Sequence, residues 1–276
     1  MFNLMHKRKL DTTSTSITEN NVAIQQLQND IRKKQRLSIA RNMRRTTKPP
    51  QVDVPVDREI DPKLSLIAMV IDRSYSMSSM GSEVEGGCNA YLDEQRATDK
   101  ADGIETSVIF TTFDDKIEVI HDGVSLSSVP KVTREQVEPR GSTALYDGIG
   151  DTLLRTAQHL RNQKTMPGKV VVFILTDGHE NRSRTWGAAS VTAEIKRLSV
   201  APFNFDFYFA AANQDALDKG ASMGIPTAQC LDYDPTPGGI KQAMYSSSVA
   251  YTRSKRGQSK GFSYQERCLS SMNYSH

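Results

Sequence analysis

The segment LSLIAMVIDRSYS, at residues 64–76, indicates the fold of this chain most clearly. Its first eight residues form a nearly continuous apolar run, which is typical of a β-strand buried on both faces. The run stops at Asp72, and hydroxyl side chains follow at Ser74 and Ser76. A strand of this kind belongs inside a parallel sheet. The polar residues behind it then lie at the carboxyl edge, where open α/β sheets bind their ligands.

Strands and helices alternate along the chain on the carboxyl side of this strand. Such alternation predicts a mostly parallel sheet that is covered by helices. The short connection at 114–116 predicts a hairpin between the second and third strands. The predicted strands cover 64–71, 107–113, 117–124, 169–176, 203–209 and 228–231, and helical spacing is found over 84–95, 145–160, 191–198 and 239–251, with a short helix before the last strand.

Oxygen-bearing side chains follow the strongest predicted strands. Asp72, Ser74 and Ser76 leave the first strand, and alternate residues of such a turn can point to the same side. Thr143 precedes a predicted helix, and Asp177 follows the most apolar later strand. These three loops present two carboxylates and three hydroxyls at one edge of the sheet, without a histidine or cysteine. Hard oxygen donors with few charges predict Mg²⁺ or Mn²⁺ and disfavour Zn²⁺.

The order of these motifs, with RGSTAL at 140–145 and TDG at 176–178, resembles the von Willebrand factor type A (VWA) domain and its metal-ion-dependent adhesion site. The match covers roughly residues 62–250, and GGCNAYLDEQ at 86–95 looks like the first helix of stand-alone bacterial and phage members. The resemblance implies a three-layer, doubly wound α/β fold. Its sheet order would be 3-2-1-4-5-6, with the third strand antiparallel.

The resemblance also implies a role for each oxygen donor. Ser74 and Ser76 would bind the metal directly, and Thr143 would bind it directly or through water. Asp72 and Asp177 would act mainly through water or by exchanging into direct contact. The remaining position would take a Glu or Asp side chain from a protein partner.

The chain departs from the family pattern at Tyr75, where the family usually has glycine between the two serines. A side chain there is strained if the backbone φ is positive. Otherwise it places an aromatic ring beside the metal, where it can serve an interface. Together with Arg140, His179 and Glu180 it is expected to form the rim that contacts the partner, although His179 and Glu180 fit a solvated loop equally well. Asp147 is expected to orient the site from behind.

The chain divides into four segments by composition. Residues 1–50 hold 11 basic and 3 acidic residues and form a basic arm that is partly helical, over about 18–43, or disordered. Residues 51–61 contain Pro55 and are predicted to be an extended linker. The VWA-like domain follows at 62–250, and 251–276 is predicted to be a basic, serine-rich, weakly ordered tail.

Partner and compartment follow from the same composition. The three cysteines form no C-x-x-C pair, which favours reduced thiols and a cytoplasmic protein, or one inside a phage particle. No apolar run is long enough to cross a membrane. The arm lacks stacking aromatics, so any contact with nucleic acid would be non-specific. The arm could instead mediate self-association or docking in an assembly.

Three functions remain open at this stage. The first is a divalent-cation-dependent protein-interaction module that is not an enzyme. The second is a structural component of a large assembly, either a phage particle or a regulatory complex, docked by the basic arm. The third is a metal-dependent phosphatase or hydrolase, but Asp72 lacks a carboxylate two residues later, and His179-Glu180 lacks the H-E-x-x-H spacing.

Overall fold

A computed structural model of the chain describes residues 49–212 and 216–271, which all belong to the second of two compact units, Thr47–His276. The basic arm and its predicted helix at 18–43 lie outside the described residues. The strands are β1 (Ile60–Asp72), β2 (Glu105–Phe113), β3 (Ile117–Ser125), β4 (Met166–Thr176), β5 (Asp206–Ala212) and β6 (Cys230–Tyr233). The helices are α1 (Glu83–Asp102), α2 (Arg134–Val137), α3 (Leu145–Asn162), α4 (Ala188–Leu198), α5 (Ala216–Ser222), α6 (Pro237–Lys255) and α7 (Tyr264–Ser270).

The six strands form one sheet in the order β3-β2-β1-β4-β5-β6. Only the pairing of β2 with β3 is antiparallel, and the other four pairings are parallel. The sheet order, the antiparallel third strand and the hairpin are therefore confirmed. Because β1 and β4 lie side by side at the centre, their carboxyl ends meet at one edge of the sheet.

The apolar run of β1 is buried on both faces, as predicted. Ile67, Met69 and Ile71 belong to the core on one face, which α1 and α6 cover. Leu66, Ala68 and Val70 alternate with them and belong to the core on the other face, under α3 and α4. Each large side chain that is removed from water in this way contributes about 1.5–3 kcal/mol, so β1 is firmly held in its register.

The segment before β1 does not behave as a free linker. It runs without helix or strand from residue 51 to residue 59, but Val52 and Val54 are buried in the core beneath α3 and α4. Arg197 of α4 donates a hydrogen bond to the carbonyl of Val52 at 2.6 Å. The prediction rested on the prolines, whereas the two valines anchor the extended chain to the domain.

The prediction of a weakly ordered tail from residue 251 is wrong for the described part, up to residue 271. Helix α6 continues to Lys255, and α7 follows with a capping box between Ser263 and Glu266. Arg253 forms an ion pair with Glu266 at 2.6 Å. Arg267 donates to the carbonyl of Cys230 at 2.7 Å. The basic residues that suggested disorder therefore form ion pairs and hydrogen bonds within the domain.

Candidate metal centre

The candidate site lies where β1 and β4 end. Ile71 pairs with Leu175, so the residues that follow these positions leave two adjacent parallel strands. Asp72 is the last residue of β1 and is fully buried. The hydroxyl of Thr176, the last residue of β4, donates to Asp72 Oδ2 at 2.5 Å. The strand pairing thus orients the first carboxylate before any loop contributes.

Direct hydrogen bonds join the loop after β1 to the loop after β4. Ser76 Oγ donates to Asp177 Oδ1 at 2.6 Å, across 101 residues of sequence. The hydroxyl oxygens of Ser74 and Ser76 lie 3.0 Å apart. The Ser74 amide donates to Asp72 Oδ1 at 2.7 Å, which closes the turn that the D-x-S-x-S spacing predicted.

Thr143 enters the same cluster from the loop before α3. A Cβ atom placed on Gly178 would lie 2.7 Å from Thr143 Oγ1 and 3.3 Å from Ser76 Oγ, so both hydroxyls face this glycine. The carbonyl of Thr143 accepts the amide hydrogen of Asn181 at 3.0 Å. The structure therefore brings together all five oxygen-bearing residues of the sequence prediction. Their role as metal ligands stays a prediction.

The two carboxylates lie in surroundings that disfavour their negative charge. Burial, with a smaller contribution from the nearby Asp177, raises the pKa of Asp72 to about 7, against the hydrogen bonds from Thr176 and Ser74. Burial also raises the pKa of Asp177, against the hydrogen bond from Ser76. Within residues 49–212 and 216–271, no ion pair contains either carboxylate. A bound cation would supply the positive charge that could pair with these two carboxylates.

The donor set fits a hard divalent cation. Hydroxyl and carboxylate oxygens from Ser74, Ser76, Thr143, Asp72 and Asp177 surround one position at the sheet edge. In the part of the chain that the structure describes, no group of three or more His, Cys, Asp or Glu side chains could hold a metal. A site of this kind therefore depends on its hydroxyls, which suits Mg²⁺ or Mn²⁺ with retained waters.

Tyr75 stands at the rim without backbone strain. Among the described residues, Asn204 is the only non-glycine residue with positive φ, so the tyrosine tolerates its place between the serines. The residue is 72% exposed, and its amide donates to the carbonyl of Gly141 at 3.2 Å. The aromatic ring is thus available to solvent beside the candidate metal position.

The other three predicted rim residues differ in how free their side chains are to contact a partner. His179 is exposed. Arg140 is half-exposed but is ion-paired with Asp114 at 2.7 Å and with Glu118. Glu180 is committed to its own loop, where it accepts hydrogen bonds from the amides of Arg182 and Ser183 and from the Ser183 hydroxyl. It also accepts one from the amide of Tyr146 at the start of α3.

Several residues support the site although the sequence did not predict them as metal ligands. Thr176 orients Asp72, and Gly178 leaves room for the hydroxyls. The side-chain oxygen of Asn181 accepts from the Thr143 amide at 3.1 Å. Asp147, expected to orient the site, accepts from the amides of Arg184, Thr185 and Trp186, and so orders the loop after β4. Their roles depend on which strands are neighbours, which no local pattern specifies.

Known structures are similar to this chain at low sequence identity, and one of the three compared below has a TM-score above 0.5. The pilus adhesin SpaC from Lactobacillus rhamnosus GG, in an open conformation, aligns with a TM-score of 0.52 and 11% identity over 71% of this chain and 31% of that chain. Proximal thread matrix protein 1 from the mussel byssus, with a zinc-occupied MIDAS motif, aligns with a TM-score of 0.44 and 17% identity over 73% of this chain and 47% of that chain. The ArnB paralog VWA2 from Sulfolobus acidocaldarius aligns with a TM-score of 0.42 and 17% identity over 67% of this chain and 44% of that chain.

These likenesses concern the fold alone. The chain spans less than half the length of each of these three proteins. No family model matches the sequence. No curated protein matches it either. The VWA-like fold is therefore established by its topology, and the function has to be argued from the site.

Proposed function

We propose that the domain is a divalent-cation-dependent protein-interaction module, which uses Mg²⁺ or Mn²⁺ to bind a Glu or Asp side chain of a partner. The observation that carries the proposal is the contact of Ser76 with Asp177 at 2.6 Å beside the buried Asp72. Two buried carboxylates and three hydroxyls meet at the edge of the sheet, without a basic side chain paired to either carboxylate in the described part of the chain.

Each residue has a separate task in this proposal. The hydroxyls of Ser74, Ser76 and Thr143 would hold the ion, and Asp72 and Asp177 would balance its charge directly or through bound water. When bound, the cation supplies Lewis-acid attraction for one further oxygen ligand. These side chains leave at least one position of an octahedral cation open, and an acidic side chain from outside would complete the ligand set.

A purely binding role fits the site better than catalysis. Asp72, the candidate nucleophile of a phosphatase, is fully buried, and its two oxygens accept hydrogen bonds from Ser74 and Thr176. A nucleophile must reach its substrate. We therefore propose that the protein is not an enzyme. The exposed Tyr75 and His179 would contact the partner around the metal.

The proposed compartment is the cytoplasm or the interior of a phage particle. Cys88 and Cys230 are buried in the core, and Cys268 is half-buried. Cys88 and Cys230 are free thiols, which is the expected state in a reducing compartment. Among the described residues, no helix has the length and apolar content to cross a membrane.

The test is Mg²⁺ titration by calorimetry with Asp177→Asn as the variant. The substitution keeps the side-chain shape but removes one of the two charges, so Mg²⁺ binding should fall at least tenfold, as is usual when a charged metal partner is lost (about 1.4 kcal/mol). Asp93→Asn is the matched control, since Asp93 is an exposed acid on α1 and does not belong to the site. Equal affinities for the wild type and Asp177→Asn would refute the proposal.

Partner binding needs a separate experiment. The full chain, immobilised with Mg²⁺, should retain a partner that EDTA releases, and the Asp177→Asn variant should retain none. A partner that stays bound in EDTA would point to the alternative, in which the basic arm at 1–50, with 11 basic residues, docks the protein into a large assembly. Removal of residues 1–46 would then abolish incorporation while the folded unit at 47–276 remains.

A further inference from the structure

A four-residue ion-pair network lies directly behind the candidate metal centre. Arg73, next to Asp72, is only 1% exposed and contacts Asp114 at 3.2 Å and Glu118 at 2.6 Å. Arg140 contacts the same Asp114 oxygen at 2.7 Å and also Glu118. Two guanidinium groups from two different loops thus share one buried carboxylate of the β2–β3 hairpin.

The network connects the two loops that supply the hydroxyls. Arg73 belongs to the loop with Ser74 and Ser76, and Arg140 lies three residues before Thr143. Backbone hydrogen bonds follow the same connection, because the Arg140 amide donates to the Arg73 carbonyl at 2.8 Å and the Ala144 amide to the Asp114 carbonyl at 2.8 Å. The Thr143 loop is therefore tied to the hairpin on both sides of the threonine.

Hydrogen bonds with Tyr75 and Asn181 also hold this loop. Among its residues 140–144, Arg140 is the only one with a charge. Helix α3 begins only at Leu145, after the loop. Within the loop, residues 140–142 are exposed, and Gly141 has a φ of +66° and packs against the hairpin so closely that a Cβ would lie 2.6 Å from Asp115 Oδ1. Ion pairs with a buried, charged partner are much stronger than those in water. The side chain of Arg140 is thus the main charged anchor of the loop.

We propose that Arg140, with Asp114 and Arg73, is a positioning residue that sets the place of the Thr143 hydroxyl in the metal centre. This rests on the proposed function, since it assigns Thr143 to the metal. It also gives Arg140 a task other than contact with a partner. Loss of a residue that orients a metal ligand costs about 10–100-fold in metal affinity, so Arg140→Met should weaken Mg²⁺ binding by about tenfold.

A double-mutant cycle separates positioning from a general structural effect. Arg140→Met is made in the wild type and in Thr143→Ala, and Mg²⁺ affinity is measured for all four proteins. If Arg140 acts through Thr143, its substitution weakens binding in the wild type but not once the threonine hydroxyl is gone. Arg155→Met is the matched control, because Arg155 is 41% exposed against 51% for Arg140 and pairs with the exposed Asp122 at 3.5 Å.

Hydrogen exchange of the metal-free protein provides the second readout. The Ala144 amide should exchange faster in Arg140→Met than in the wild type, and Arg155→Met should leave it unchanged. An equal loss of Mg²⁺ affinity in both backgrounds, or no loss in either, overturns the inference. If the wild type or Thr143→Ala binds Mg²⁺ too weakly to measure, hydrogen exchange alone tests the positioning role, and unchanged protection of the Ala144 amide overturns it. A wild type that does not bind Mg²⁺ overturns the proposed function instead.

Discussion

Gly178→Ala should damage the metal centre without removing any of its oxygen donors. The new Cβ would lie 2.7 Å from Thr143 Oγ1, whereas ordinary contacts begin at 3.4 Å, so the hydroxyl would have to retreat by about 0.7 Å. Metal–ligand distances tolerate only about 0.2 Å. Thr143 would therefore leave the ligand set. We expect Mg²⁺ affinity to fall about 10–100-fold, or about 1.4–2.7 kcal/mol.

Calorimetric titration measures this loss, and thermal unfolding of the metal-free protein shows whether the fold survives. The control is Gly187→Ala, because a Cβ on Gly187 meets nothing within 4 Å. Neither glycine has a positive φ, so alanine fits both backbones. The control should bind Mg²⁺ like the wild type. Unchanged affinity in Gly178→Ala would refute the reasoning, since Thr143 would then have no place near the ion.

Two further predictions concern stability. Burial alone would raise the pKa of Asp206, but hydrogen bonds from Lys260 and Ser254 lower it below its usual value. The paired carboxylate therefore stabilises the fold above the unfolded pKa of about 3.9, and this stabilisation is lost as the pH falls through the lower folded pKa. The melting temperature of Asp206→Asn should be lower than that of the wild type at pH 7, and it should fall less than that of the wild type between pH 5 and pH 3. Gly150→Ala would place a Cβ inside the contact distance of the Trp186 ring, and overpacking should cost about 1–3 kcal/mol in urea unfolding; a melt like the wild type's would contradict this.

Strand positions were easier to predict than strand ends. The apolar runs at 64–71 and 169–176 lie within β1 and β4, but these strands begin four and three residues earlier. The alternating phenylalanines at 203–209 predicted β5 three residues too early, since the strand covers Asp206–Ala212. Phe205 is buried but precedes the strand, because its amide donates to the Leu198 carbonyl at the end of α4. An alternating pattern reports burial, not hydrogen bonding between strands.

The tail after residue 251 exposes a different limit. Its basic and serine-rich composition is typical of a disordered segment, yet Lys260 lies 2.8 Å from the buried Asp206. Arg253 binds Glu266 through two hydrogen bonds, at 2.6 and 2.8 Å. Asp206 and Glu266 are buried carboxylates, and each is tolerated in the folded domain because a partner of opposite sign pairs with it. Composition does not reveal that partner.

The buried strands and the oxygen-bearing residues that follow them could be predicted from local patterns, because both depend on residues that are neighbours along the chain. The contact of Ser76 with Asp177 across 101 residues could not, and neither could the sharing of Asp114 by Arg73 and Arg140. These contacts depend on which strands pair and on how deeply their ends are buried. The burial and charge environment of the metal centre therefore depend on the fold, whereas the chemical type of its candidate ligands is given by the loop residues themselves.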